Sequence, residues 1–190
     1  MMNIKTREMI LVALFAALTA IGAFIKIPTP FGVPFSMQPL FVIFAANLLG
    51  ARLGLMSQLI YIFIGLIGIP IFTSGGGPAY VLNPTFGYLV GFAIGAYVIG
   101  KIIENKKKNF KNFILANLAG LLVFYFFGVT HLYLIMNFYL GKAYPINSAL
   151  IGGFLIFFPF DIIKAIISAL ISKEVIKRVE NALPIASLKH

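Results

Sequence analysis

The sequence predicts an all-α integral membrane protein with six transmembrane helices. Apolar residues make up 61% of the 190 residues and charged residues only 11%, whereas a soluble domain has about 45–50% and about 25%. Mean hydropathy is +1.01. This length accommodates about six spans of about 20 residues each, with short connections. We therefore expect a single membrane domain over residues 1–190.

Six apolar runs between clusters of charge, proline and glycine define the helices in order. They cover about residues 9–27, 35–49, 53–72, 81–103, 113–137 and 148–172. The first run lacks a convincing small-residue cleavage site, so we interpret it as a retained helix rather than a secretory signal. The second is short for a span, which predicts a tilted helix or one that begins within the preceding loop.

Positive charge is unevenly distributed among the connections. Twelve of the 15 Lys and Arg lie in the N-terminal segment, the second and fourth connections and the C-terminal tail. Because cytoplasmic connections carry this excess, both termini are expected in the cytoplasm. The net charge of +10 then indicates contact with anionic membrane lipid and not with nucleic acid.

Asp161 and Lys164 are charged residues inside the sixth predicted span. Residues three apart share a helix face, and charges within a bilayer generally face the protein interior and mark a site or pathway. Pro159 leaves the carbonyl of Leu155 without its helical donor, which predicts a kink beside Asp161. The pair is thus a candidate binding site, with mutual neutralisation inside the bundle as the structural alternative.

Two uncharged connections have an unusual composition. The first, residues 27–39, contains four prolines and ends near Gln38, whose amide offers a donor and an acceptor. It is expected to form a stiff loop against the bundle. The third, residues 73–85, contains Gly75, Gly76 and Gly77, whose exposed backbone could line a ligand. A mobile connector has a similar composition.

Several chemistries are excluded by residues that the sequence lacks. Without cysteine there is no disulfide, thiolate metal site or Cys nucleophile. The segment 95–101 resembles a phosphate-binding loop, but Ile102 replaces the required Ser or Thr and no strand precedes it. The two histidines are too scattered for a metal site. We expect no catalytic residues, no metal, no cofactor and no ATPase activity.

The first predicted helix carries small residues at four-residue spacing. Ala13 pairs with Ala17, and Ala16 with Ala20. Such stripes allow close helix approach in lipid. They serve either packing within the bundle or docking to another membrane protein, and the spacing does not distinguish the two.

Three stretches resemble a known family. Residues Gly65–Phe72 read GLIGIPIF, Asn83–Phe92 read NPTFGYLVGF, and Pro159–Ala165 read PFDIIKA. Together they are similar to the BioY family, the biotin-binding S components of energy-coupling factor (ECF) transporters. The resemblance covers nearly the whole chain. It implies a prokaryotic plasma-membrane protein with six helices and a vitamin pocket toward the extracellular side.

The resemblance also implies partners and site residues. It implies docking of the alanine stripe on a transmembrane coupling subunit that two cytoplasmic ATPases drive. Biotin has ureido N–H groups, which suit Asp161, and a carboxylate, for which Lys164 is the available cation within a span; which end each contacts is left open. Further contacts are expected from Gln38, Asn83, Thr85, Tyr88, Phe31 and the backbone of Gly75, Gly76 and Gly77.

Three alternatives remain at this stage. An S component for another vitamin, such as thiamine or riboflavin, would share the fold; the absence of Trp argues weakly against stacking of a flat aromatic vitamin. An intramembrane enzyme would use Asp161 with His131 but lacks a nucleophile or second carboxylate. A purely structural membrane subunit would tolerate apolar residues at positions 161 and 164.

Overall fold

The computed structural model describes residues 5–178, so the end of the C-terminal tail, including Lys189, lies outside the described residues. The fold is helical, with a two-stranded hairpin after the first helix. The elements are α1 (Thr6–Phe24), β1 (Lys26–Ile27), β2 (Phe35–Ser36), α2 (Gln38–Leu66), a 3-10 helix (Pro78–Leu82), α3 (Phe86–Glu104), α4 (Phe110–Leu134), α5 (Ile146–Leu150) and α6 (Phe158–Arg178).

Within the described residues, five helices or joined helical segments are long and apolar enough to cross a membrane. They are Thr6–Phe24, Gln38–Leu66, Phe86–Glu104, Phe110–Tyr139 and Ile146–Arg178. Two of them contain a π-helical turn, at Ile135–Tyr139 and Ile151–Leu155. The prediction of an all-helical protein with several membrane spans is confirmed.

The helix α2 reverses direction at Gly50. This residue has φ 83° and ψ −176°, a conformation far from helical. The side chains of Gln38 and Tyr61 nevertheless form a hydrogen bond of 2.9 Å, although 23 residues of continuous helix would separate them by about 34 Å. The two halves of α2, 38–49 and 51–66, therefore pack side by side in opposite directions.

A carboxylate from α3 caps the second half of α2. Glu104 Oε1 accepts a hydrogen bond from the backbone N–H of Ala51, at 2.8 Å. Helix N-termini have N–H groups without intrahelical acceptors, and negative charge there is favourable. A Cβ at position 50 would lie 2.6 Å from the same oxygen. Glycine is thus required at the reversal both by its backbone conformation and by the proximity of Glu104.

Gly50→Ala is expected to destabilise the protein by about 2 kcal/mol or more, because a left-handed φ and a steric contact act together. The measurement is thermal unfolding of the detergent-purified protein. Gly32→Ala is the matched control, since Gly32 also has a positive φ, 81°, but a Cβ added there would have no atom within 4 Å. Equal losses of stability in the two variants would contradict the role of Glu104.

The helix α3 packs against both α2 and α4. Its approach to α4 is close: a Cβ at Gly91 would lie 2.9 Å from the Phe124 backbone. Ile99 of α3 and Phe113 and Leu121 of α4 are fully buried. In lipid, where apolar surface gives no burial advantage, such close packing holds helices together.

Some helices begin or end at different residues from the predicted spans, because proline and glycine fix the local backbone geometry. The third predicted span, 53–72, is helical only to Leu66, because Gly68 has φ 115° and Pro70 follows. The predicted span 81–103 becomes helical only at Phe86, after Pro84. In the last segment, α6 begins at Phe158 after the π-helical turn, so the regular α-helix is interrupted just before Pro159, while the predicted kink in helix direction stays a prediction.

Candidate functional site

A cavity of about 50 Å³ lies at one end of the bundle, under the β1–β2 hairpin. Residues from the first loop, α2, the third loop, α3, α4 and α6 line it. Ligand pockets usually measure about 300–1,000 Å³. This cavity is therefore smaller than a typical ligand pocket.

The charged pair of α6 lies at this cavity and is almost completely buried. Asp161 and Lys164 are 5% and 4% exposed. Lys164 Nζ donates to Asp161 Oδ1 at 2.6 Å and to the backbone carbonyl of Ser36 at 2.6 Å. It also lies 4.0 Å from the centre of the Phe35 ring, a favourable cation–π distance. The lysine thus binds both the aspartate and the hairpin.

The position of Asp161 follows from the start of α6. Pro159 occupies the first turn, where its missing N–H costs no intrahelical hydrogen bond. Asp161 also lies in the first turn, where the helix dipole favours a carboxylate. Its second oxygen, Oδ2, accepts a hydrogen bond of 2.5 Å from the Tyr125 hydroxyl. Both carboxylate oxygens are therefore engaged, and the carboxylate is held in a fixed orientation.

One wall of the cavity is a chain of hydroxyl groups. Thr85 Oγ1 donates to Asn83 Oδ1 at 2.8 Å, so it accepts from the Tyr80 hydroxyl, also at 2.8 Å. Tyr80 in turn accepts from Thr73 Oγ1 at 3.0 Å. Of these residues, Thr73 and Thr85 line the cavity. The chain joins the two ends of the third loop and fixes that wall.

Gln38 links the hairpin to α2. Its Oε1 accepts from Ser36 Oγ at 3.2 Å, and its Nε2 donates to the Tyr61 hydroxyl at 2.9 Å. Tyr61 then donates to the Ile71 carbonyl at 3.0 Å. The amide of Gln38 is therefore satisfied within the protein while it lines the cavity.

The remaining walls are aromatic and apolar. Phe35 and Phe157 stack with ring centres 6.5 Å apart, and Phe92 meets Phe124 edge-on at 5.0 Å. All four line the cavity. An apolar enclosure with a few convergent polar groups is the usual composition of a small-molecule site.

Five of the ten predicted ligand contacts line this cavity, and five lie outside it. Those that line it are Gln38, Thr85, Tyr88, Asp161 and Lys164. Asn83 stabilises the third loop through Thr85 and through its carbonyl, 3.2 Å from His131 Nε2. Phe31 packs against Gly152, in the π-helical turn Ile151–Leu155. Gly75, Gly76 and Gly77 lie in the third loop away from the lining.

Among the cavity residues that the sequence analysis missed, Tyr125 is the one that donates a hydrogen bond to Asp161. It lies in an unbroken apolar run of α4 with no motif around it. Its ring packs edge-on against Phe154 at 4.8 Å and against Tyr88 at 6.5 Å. A tyrosine within an apolar span is a possible signal, because its hydroxyl needs a partner when buried.

The alanine stripe of α1 is divided between two faces. Ala16 and Ala20 are buried and belong to the core, whereas Ala13 and Ala17 are exposed. The large neighbours Ile10, Leu14 and Ile21 are exposed on the same helix. Ala16 and Ala20 therefore pack within the chain, and only Ala13 and Ala17 are available to a partner.

These features define an all-helical, multi-pass membrane protein with a charged cavity buried among its helices. The profile described as the BioY family matches residues 1–181. The chain belongs to the BioY family.

Curated relatives and a solved structure agree with this assignment. The "Probable biotin transporter BioY" of Lysinibacillus sphaericus is 47% identical over 174 residues, 91% of this chain and 88% of that protein. The "Biotin transporter BioY" of Thermotoga maritima is 40% identical over 87% of this chain and 94% of its own length. A crystal structure of the S-component for biotin from an ECF-type ABC transporter superposes with a TM-score of 0.77 and 28% identity, covering 92% of this chain and 95% of that one.

Proposed function

We propose that this chain is the biotin-binding S component of an ECF-type vitamin uptake transporter in the cell membrane. The observation that carries the proposal is the buried Asp161–Lys164 pair, which lies at an apolar cavity. The fold around this cavity is similar to that of an S-component for biotin. The chain acts as a transport subunit and not as an enzyme.

The chemistry of biotin matches the cavity. Asp161 accepts hydrogen bonds from the ureido N–H groups, and the aromatic walls contact the thioether ring. Lys164 binds either the ureido oxygen or the carboxylate. Thr85, Tyr88 and Gln38 add polar contacts.

The first and third loops form a lid over the cavity. They move outward when the vitamin enters and close over it once it is bound. Lys26 Nζ donates to the Thr73 carbonyl, which joins the two loops of this lid.

The proposed topology has six membrane crossings. The reversal of α2 at Gly50 supports it, because the two halves of α2 are then separate helices that run in opposite directions. With the positive connections in the cytoplasm, both termini are cytoplasmic and the cavity opens toward the extracellular side. The coupling subunit and two cytoplasmic ATPases supply the energy for transport, with Ala13 and Ala17 contacting the coupling subunit.

Titration of the detergent-purified protein with biotin tests this function, once endogenous vitamin has been removed. We expect saturable binding at one site, with thiamine and riboflavin as controls that do not bind. Absence of biotin binding in a folded, vitamin-free sample would refute the proposal. Saturable binding of thiamine or riboflavin instead would assign the chain to another vitamin.

Tyr125→Phe is expected to weaken biotin binding about 10- to 100-fold, because it removes a hydrogen bond to a buried carboxylate. Isothermal titration measures the change. Tyr97→Phe is the matched control, since Tyr97 is 44% exposed on α3 and does not line the cavity. Unchanged affinity in Tyr125→Phe would mean that the hydroxyl does not position Asp161 for the ligand.

A further inference from the structure

A second cavity, of about 420 Å³, opens sideways between α4 and the segment 146–155. We call it the lateral groove. Leu122, Phe126 and Val129 form one wall, and Ile146, Leu150 and Phe154 form the other. Several of these side chains are exposed, Leu122 at 61% and Phe126 at 68%. The groove is therefore open along its length to whatever surrounds the protein.

The dimensions of the lateral groove match one leaflet of a bilayer. Its α4 wall runs from Leu122 to Tyr133, a rise of about 16 Å along a helix. Half of a hydrocarbon core of about 30 Å is about 15 Å. Both walls belong to apolar segments long enough to cross a membrane, so an acyl chain of the surrounding lipid matches the groove in length and polarity.

A positive charge lies on the loop that joins the two walls. Residues 140–145 connect the end of α4 to α5 and are held there by hydrogen bonds between Asn137 and Tyr144. Lys142 in this loop is exposed and has no ion pair among residues 5–178. An apolar groove of leaflet length, whose two walls are joined by a loop with an exposed cation, complements a phospholipid, with its acyl chain and anionic phosphate.

We propose that the lateral groove binds one acyl chain of a phospholipid from the leaflet on the side of residues 140–145, with the lipid phosphate at Lys142. This lipid is distinct from the bulk lipid that covers the convex helix faces, because it is enclosed on two sides. Tyr125 lines both the lateral groove and the charged cavity. The bound chain thus packs against the residue that donates to Asp161.

Lipid binding is tested by native mass spectrometry of the delipidated protein with added palmitoyl-oleoyl phosphatidylglycerol. We expect one lipid to be retained by the wild type. Thr130→Phe, at an exposed position that lines the groove, is expected to reduce apparent lipid affinity about tenfold or more, because the ring occupies the space of the chain. Leu115→Phe, on α4 outside the groove, is the matched control and is expected to bind as the wild type does.

A second experiment tests the proposed contact between the lipid phosphate and Lys142. Lys142→Gln is expected to weaken phosphatidylglycerol binding and to leave binding of a diacylglycerol with the same chains unchanged, since only the former has a phosphate. Equal lipid retention by the wild type and Thr130→Phe would overturn the proposal. A dimer that dissociates in Thr130→Phe, without any change in lipid retention, would also overturn it and make a second copy of the chain the occupant.

Discussion

Asp161→Asn is expected to weaken biotin binding by about 100-fold or more. The substitution removes the charge that accepts from the ligand and leaves the Lys164 ammonium buried without its ion-pair partner; losing one partner of such a pair costs about 2–5 kcal/mol of binding. Asn also places an NH₂ group at one of the two oxygen positions that now accept from Lys164 and Tyr125. Isothermal titration of the purified variant measures the loss.

Folding of the variant is controlled separately. Thermal unfolding compares Asp161→Asn with the double variant Asp161→Leu/Lys164→Leu, in which an apolar pair replaces the ion pair. Apolar replacement of a buried ion pair is often neutral or stabilising, so the double variant is expected to fold and not to bind biotin. Wild-type affinity in Asp161→Asn, or normal transport by the double variant, would make the pair purely structural.

Replacing Ala13 and Ala17 together with Trp is expected to abolish assembly with the coupling subunit while biotin affinity stays unchanged. Both alanines are exposed on α1, and helices in lipid associate closely only where small residues let their backbones approach. Two indole rings would prevent that approach without entering the cavity, which α1 does not line. Co-purification of the coupling subunit from membranes that contain both proteins measures assembly.

The control for this experiment is Leu115→Trp, a bulky substitution at a residue that is 55% exposed on α4. It is expected to assemble normally. Ala16→Trp provides the opposite comparison, because Ala16 is only 5% exposed and a large side chain there disrupts α1 packing and folding. Normal assembly of the Ala13→Trp/Ala17→Trp variant would remove the exposed face of α1 from the interface.

Much of the fold could be predicted because the lipid environment simplifies its physics. Apolar runs of sufficient length must form helices, since the backbone has no other hydrogen-bond partner in hydrocarbon. The centres of the predicted spans therefore coincide with helices. Their ends depend on capping, proline and glycine geometry, and so the third predicted span is helical only to Leu66.

The candidate site could be predicted only where charge made it conspicuous. Asp161 and Lys164 are unusual within an apolar span, whereas Tyr125 and Phe35 resemble ordinary apolar residues until a neighbouring helix is placed. The side chain of Asn83 is occupied locally, because its Oδ1 accepts hydrogen bonds from Thr85, two residues later. Tertiary geometry divides the alanine stripe, whose buried and exposed halves differ only by the face of α1 they occupy.

The hydrogen bond from Lys164 to the Ser36 carbonyl joins the floor of the cavity to its cover. In the proposed mechanism, a vitamin enters this cavity of about 50 Å³ only after the hairpin has lifted and this bond has broken. The association rate then depends on how often the cover opens, and stays below the rate of collision. Once the cover has closed over the vitamin, the same bond opposes escape. We therefore expect retention of the vitamin to depend on a long residence time rather than on rapid capture.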